Sequence, residues 1–308
     1  MVDVSIAICT WNNAERLRIT LDSLCKCAIP EGLQWEIVLV NNNSNDHTDC
    51  VVESFKDRLP LISLYEPKQG LSQARNRALS STHGRLVIFT DDDVKPCLGW
   101  IEAYWRSYLE NPSGYYFGGP IRSEYETQGF DHRLLDVAPL CVRGFDLGAL
   151  PKVVEGDYFL GANWACPTEG LLRVGEFDVS RGLNPESGKV KTGEETELMI
   201  RLQEAGWRGF YLPDAHLQHF VPAKKCTLKH IASRMEAYGY ELASRDYDRK
   251  DARLLFGIPR WMYRSALTYY MRYISKRMRC APWYKEYTSF IQYIGFMKGV
   301  RQRLAQHE

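Results

Sequence analysis

"RLVIFTDDDVKP", residues 85–96, decides how the rest of the chain is read. Residues 86–89 are four consecutive apolar side chains, the pattern of a strand buried on both faces. Yet Asp91, Asp92 and Asp93 follow Thr90 directly. Two carboxylates a few ångströms apart repel each other by roughly 1 kcal/mol in water and by several times that near a protein surface. A divalent cation removes that cost. An all-oxygen donor set points to a hard ion, Mg²⁺ or Mn²⁺, of the kind that holds phosphates together with one or two carboxylates. A solvated acidic turn is the plain alternative, so the surroundings of the run must choose between the two.

Upstream, "VSIAICT" (4–10), "WEIVLVN" (35–41) and "LISLYEP" (61–67) read as three more strands without polar alternation, like "LVIFT" (86–90). Amphipathic stretches at 14–26, 49–55 and 71–80 read as the helices between them. Alternating strands and helices predict an α/β fold with a mainly parallel sheet and right-handed crossovers. In such sheets ligands bind beyond the carboxyl ends of the strands. That rule collects Thr10, Trp11 and Asn12, then Asn41, Asn42 and Asn43, then Asp91 to Asp93 on one rim, which favours the cation.

Residues 115–158 carry too weak a pattern for element assignment. "GDYFLGANWACPTEGLLRVGEFD" (156–178) reads as a strand and then a helix, followed by the Gly- and Pro-bearing loop "SRGLNPESGKVKTG" (180–193). "EETELMIRLQEAG" (194–206) is a helix with Leu198, Met199 and Leu202 on one face and Gly206 as its stop. "GFYLP" (209–213), a strand, and "AHLQHFVP" (215–222) close the body.

At 308 residues, with 45% apolar and 25% charged side chains, the chain is an ordinary folded protein of one large domain or one domain and an appendage. Its net charge of +1 conceals an asymmetry. Residues 224–308 hold 18 Lys and Arg against 7 Asp and Glu, whereas residues 1–223 hold 21 against 31. An acidic body therefore carries a basic tail. The nine cysteines are odd in number and lack C-x-x-C spacing, so neither a disulfide framework nor a zinc site is indicated. Reduced thiols in a cytosolic compartment are expected. The apolar run after Asp3 is about five residues, and no later run approaches the ~20 that span a bilayer, so neither a signal peptide nor a span is expected.

In order and spacing, "VSIAICTWNNAERLRITLDSL", "WEIVLVNNNSND", "GLSQARNRAL", "LVIFTDDDVKP", "GANWAC", "GEETELMIRLQEAG" and "YLPDAHLQHFVP" resemble a family 2 glycosyltransferase of the inverting GT-A type, over about residues 3–225. The resemblance implies a nucleotide-sugar donor, UDP-linked by preference, and a saccharide or lipid-linked saccharide acceptor in surface polysaccharide or glycolipid assembly. Thr10, Trp11, Asn12, Asn42 and Asp46 would lie by the base and ribose, and Arg75 by the base or phosphates. Family members usually have Asp at the second strand's end, where this chain reads "NNN". Asp91 and Asp93 would hold the metal, Mn²⁺ or Mg²⁺, with Asp92 turned toward the donor. His219 would join the metal, with His216 as fallback and a core histidine as the plain alternative. Gly161, Asn163 and Trp164 would lie beside the donor sugar, although a buried tryptophan is more often core. Lys224 and Lys225 would close over the diphosphate or form a solvated turn. Inversion needs a carboxylate to take the acceptor proton. Glu195 matches that place, with Glu194 orienting the base or the acceptor, where the family has Glu-Asp. The plain alternative is two acids favouring the positive end of a helix dipole.

The expected division is a catalytic domain at 1–225 and a basic, aromatic, helical region at 226–308. "IPRWMYRSALTYYMRYISKRMRCAPWYKEYTSFIQYIGFMKGVRQRL" (258–304) reads as helices on an anionic membrane surface, which would put the protein at the cytoplasmic face of a membrane. A helical subdomain packed on the body and a homo-oligomer interface are the alternatives. Nucleic acid is excluded, because no recognition module accompanies the charge. Two rival functions are a nucleotidyltransferase and a non-catalytic module with a structural calcium. The first needs a glycine-rich loop after the first strand, and "CTWNNAERL" (9–17) has no glycine.

Overall fold

The structure is a computed structural model that describes residues 1–111, 113–155, 158–183, 193–246 and 253–305. Most of the loop expected at 180–193 therefore lies outside the described residues. Among the described residues, eleven strands and seven helices, with one 3₁₀ turn, precede the C-terminal region. The strands are β1 (Val4–Thr10), β2 (Trp35–Asn41), β3 (Leu61–Tyr65), β4 (Leu86–Asp91), β5 (Val94–Pro96), β6 (Tyr115–Gly118), β7 (Ile121–Tyr125), β8 (Lys152–Val154), β9 (Asn163–Pro167), β10 (Arg208–Tyr211) and β11 (Leu217–Val221). The helices are α1 (Ala14–Leu24), α2 (Thr48–Glu53), α3 (Leu71–Leu79), α4 (Trp100–Glu110), α5 (Leu140–Arg143), α6 (Thr168–Val174) and α7 (Glu194–Glu204).

Contacts divide the chain into two units. The first comprises 1–124 and 144–220, and the second 125–143 and 221–308. The first unit is the expected α/β body, a mixed sheet ordered β3-β2-β1-β4-β9-β6-β10-β8 and flanked by helices. Strands β3, β2, β1 and β4 run parallel, and β9 enters antiparallel beside β4. Register aligns the strand ends, with Thr10 opposite Asn41 and Cys9 opposite Asp91. The polar strand ends thus do form one rim. Every residue of β1, β2 and β4 from Ile6 to Ile8, Ile37 to Val40 and Leu86 to Phe89 that is apolar is buried. One expectation changes: β3 is half-exposed rather than buried on both faces, because it is the sheet's edge strand. Helix α1 turns Ala14, Leu17, Leu21 and Leu24 inward at helical spacing. Each such leucine contributes about 1.5–3 kcal/mol by leaving water.

The second unit is helical. A small core of Leu134, Ala138, Val142, Val221, Cys226 and Ile231 joins the internal segment to the tail. Three long helices follow, α8 (Leu228–Asp246), α9 (Arg260–Met278) and α10 (Tyr284–Ala305). Helices α8 and α10 touch backbone to backbone: a Cβ on Gly239 would come within 2.0 Å of the Gln292 carbonyl oxygen, and one on Gly295 within 1.9 Å of that of Glu236. Glycine is required at this crossing because no side chain fits. Among the described residues, no helix is long and apolar enough to cross a membrane.

Candidate active site

Strand β4 ends at Asp91, and β5 starts three residues later and pairs with β11, Val94 opposite His219. The Phe220 N–H donates to the Asp93 carbonyl at 2.9 Å. That pairing carries His219 to the acidic turn, with Nε2 3.3 Å from Asp93 Oδ1. Asp91, Asp93 and His219 each offer one ligand atom, all within 4.8 Å of one another. Two carboxylates and an imidazole fit a divalent cation, and the imidazole favours Mn²⁺ over Mg²⁺. His219, not His216, completes the cluster.

Behind the cluster stands Arg75, carried by α3 and 4% exposed. Its guanidinium donates to Glu194 at 2.6 Å, and lies 3.6 Å from Asp91 and 3.9 Å from Glu195. Gly161 makes room for it, since a Cβ there would come within 2.5 Å of an Arg75 nitrogen. Glu194 and Glu195 open α7 after Gly193, whose φ of 89° suits glycine. Burial and the charge of Glu194 push the Glu195 carboxyl up to about 8, against the pull of Arg75. Arg75 itself stays charged, since its three carboxylate neighbours outweigh the cost of burial. Among the described residues, Glu195 Oε2 is buried and accepts no hydrogen bond. Arg75, expected at the base or phosphates, is therefore a bridge between the strand-end carboxylate and the start of α7. Glu194, expected to orient an acceptor or base, is buried and holds Arg75 instead.

Several other residues expected at the donor brace the rim. Asp92, expected to face the donor, accepts from Thr10 Oγ1 at 2.6 Å and Asn13 Nδ2 at 2.7 Å. Burial and Asp93 raise its pKa to about 7, against those two bonds. Asn42 donates to the Glu66 and Lys68 carbonyls and accepts from the Gly70 N–H and Gln69. All four of its bonding positions hold the loop that leads into α3. Asp46 accepts from the N–H of Ala14 and from Thr48, so it caps two helices. Burial opposes its ionisation, but those bonds prevail and lower its pKa. Asn12, at φ 49°, accepts from the Asn45 N–H. Trp11 remains exposed on the rim.

The "GANWAC" segment is also structural. Asn163 is buried, accepts from Trp100 Nε1 and Tyr104 Oη, and donates to the carbonyls of Pro120 and Ala215. Trp164 is buried against Phe89, ring centroids 4.5 Å apart, and cannot stack on a sugar from there. Asn163→Ala should strand two buried donors, at about 1–3 kcal/mol each, read as a lower urea midpoint with an unchanged slope. Lys225 belongs to the second unit, in the short turn Ala223–Cys226.

Two residues escaped the sequence reading. Asn13 braces Asp92, and Thr20 receives the Val94 N–H at 3.0 Å while donating to the Asp92 and Val94 carbonyls. The signal for Thr20 was a polar residue on the buried face of α1, between Leu17 and Leu21.

Fold and site together define a class, a glycosyltransferase of the GT-A fold. Residues 5–155 match the model of Glycosyl transferase family 2, and this part of the chain belongs to that family. It is 25% identical over 257 residues to the succinoglycan biosynthesis protein ExoM of Rhizobium meliloti, covering 81% of this chain and 78% of ExoM. Among solved structures it is similar to the mannosyltransferase PcManGT from Pyrobaculum calidifontis, in complex with GDP-Man and Mn²⁺, with TM-score 0.60, 17% identity, and coverage of 99% of this chain and 88% of that one. It is also similar to S. aureus TarS 1-349 in complex with UDP-GlcNAc, with TM-score 0.54, 16% identity, and coverage of 80% and 68%. The chain spans 41% of the longer TarS chain. Family membership sets aside both rivals, the nucleotidyltransferase and the non-catalytic calcium module.

Proposed function

We propose that the protein moves a sugar, with inversion, from a nucleoside diphosphate sugar to a hydroxyl of a saccharide or lipid-linked saccharide, in assembly of a surface polysaccharide or glycolipid. The carrying observation is Glu195 Oε2, buried and without a hydrogen bond among the described residues, beside Arg75, which in turn adjoins the strand-end carboxylate Asp91. Glu195 accepts the proton of the acceptor hydroxyl as that oxygen bonds to the anomeric carbon. The bond from that carbon to the diphosphate oxygen breaks, and its electron pair leaves with the nucleoside diphosphate. Asp91, Asp93 and His219 would hold a divalent cation, which would supply positive charge against the charge growing on the leaving group. Arg75 and Glu194 keep Glu195 in place.

UDP is the favoured donor carrier, supported by the UDP-GlcNAc held by TarS. GDP is the alternative, after the GDP-Man of PcManGT. ExoM's part in succinoglycan biosynthesis supports a growing saccharide as acceptor. Calorimetry with UDP and GDP, each with Mn²⁺ or with EDTA, tests the donor half. Wild type should bind one of them more tightly with Mn²⁺, and Asp93→Ala should bind it equally in both conditions. A variant that kept the full gain from Mn²⁺ would remove Asp93 from the metal site.

A further inference from the structure

A surface in residues 253–285 plays no part in sugar transfer as described above. There β12 (Leu254–Leu255) pairs with β13 (Ile258–Pro259) as a hairpin. Its turn residues, Phe256 and Gly257, have φ of 49° and 75°, both left-handed as a type I′ turn requires. A bulky residue is disfavoured at the first of these places, where Asn or Asp is usual. Phe256 stands there 82% exposed, with Leu254 and Leu255 exposed beside it. Ile258, by contrast, is buried with Met262 and Val300. The base of the hairpin is anchored on the helices while its tip carries apolar side chains into solvent.

Helix α9 continues the pattern with apolar residues on two sides. Met262 and Ala266 are buried. On the other side Leu267, Met271 and Met278 are 61%, 58% and 81% exposed, at spacings of four and seven that place them in one stripe. Charge is one-sided as well. From Arg253 to Lys285 the sequence has eight Lys or Arg and no Asp or Glu. Arg264 and Arg272 line a shallow groove of about 380 Å³ with Trp261 and Thr268. Neither guanidinium has an acidic partner among the described residues.

We propose that the hairpin tip and the outer stripe of α9 dock on an anionic phospholipid bilayer. Apolar side chains enter the headgroup layer, and the arginines meet lipid phosphates. Charge decides the occupant. A second copy of the same face would set Arg264 and Arg272 against like charges, and a neutral apolar partner would leave those arginines uncompensated. Because no helix among the described residues can span a bilayer, the attachment is to its surface. This docking is independent of the donor and acceptor assigned above.

Sedimentation of the full-length chain with vesicles tests it without any donor present. The chain should pellet with vesicles of phosphatidylcholine and phosphatidylglycerol, much less with phosphatidylcholine alone, and less as salt rises. Leu255→Ser/Phe256→Ser and Arg264→Glu/Arg272→Glu should each lower binding at least about tenfold. Their thermal unfolding should match wild type, because all four side chains are exposed. Failure to bind anionic vesicles, equal binding to neutral ones, or wild-type binding by both variants would overturn the proposal. So would a dimer in gel filtration that both variants dissociate, since the face would then serve self-association.

Discussion

Glu195→Gln is expected to lower turnover by about 10²–10⁴-fold, the usual worth of a positioned general base, while leaving nucleoside diphosphate affinity unchanged. The amide keeps the size of the side chain and cannot take a proton. Full turnover in this variant would show that another group accepts the acceptor's proton. The same assignment carries a pH signature. A carboxyl pushed up to about 8 by burial and by Glu194 is protonated below that pH and cannot act as a base. The rate at low substrate should therefore rise with pH through the neutral range toward a plateau above about 8. The residual rate of Glu195→Gln should lack that rise. An equally steep rise in the variant would assign the titration elsewhere.

Arg75→Met is expected to be the most destabilising single change, by about 3–5 kcal/mol, because it leaves Glu194 buried without its partner. Urea unfolding would read this as a lower midpoint. Adding Glu194→Gln to Arg75→Met should restore part of the loss, since no uncompensated buried charge then remains. Arg75→Lys should not substitute. One ammonium is a compact point charge and cannot span Glu194, Glu195 and Asp91 as a planar fork does. A loss below about 1 kcal/mol for Arg75→Met would show that the pair with Glu194 does not hold this region together. One cation among three carboxylates also leaves this part of the rim net negative, in keeping with a divalent ion beside it.

Strands β1, β2 and β4 were legible because each writes its burial into its own sequence, whereas the edge position of β3 left no mark in its sequence. "LVIFT" and "WEIVLVN" need no partner to be recognised. The acidic turn was legible for a similar reason, since three adjacent carboxylates at a strand end demand an explanation, whereas His219 was set beside it only by the family resemblance. What stayed hidden was the direction of side chains. Asn42, Asp46 and Asp92 were placed correctly on the rim, but whether a polar group there turns to a ligand or to a neighbouring loop depends on contacts far along the chain. Asp92 is claimed by Thr10, 82 positions away. Trp164 had two readings in sequence, and stacking on Phe89 decided for the core. Residues 115–158 could not be assigned, because β6, β7 and β8 are three to five residues long, too short to show a period.

The brace that Asn42 makes with loop 66–70, and the one that Asp92 makes with Thr10 and Asn13, have a thermodynamic corollary. Side chains already locked in the unliganded protein have little rotational freedom left to surrender when a donor arrives. Most of the ordering entropy of this rim is spent during folding, so association of a nucleoside diphosphate need not supply it. The measurable sign is a binding entropy less unfavourable than a loop-closing site would give, and an affinity that falls when Asn42 is truncated, even though that side chain has no bond left to offer the ligand.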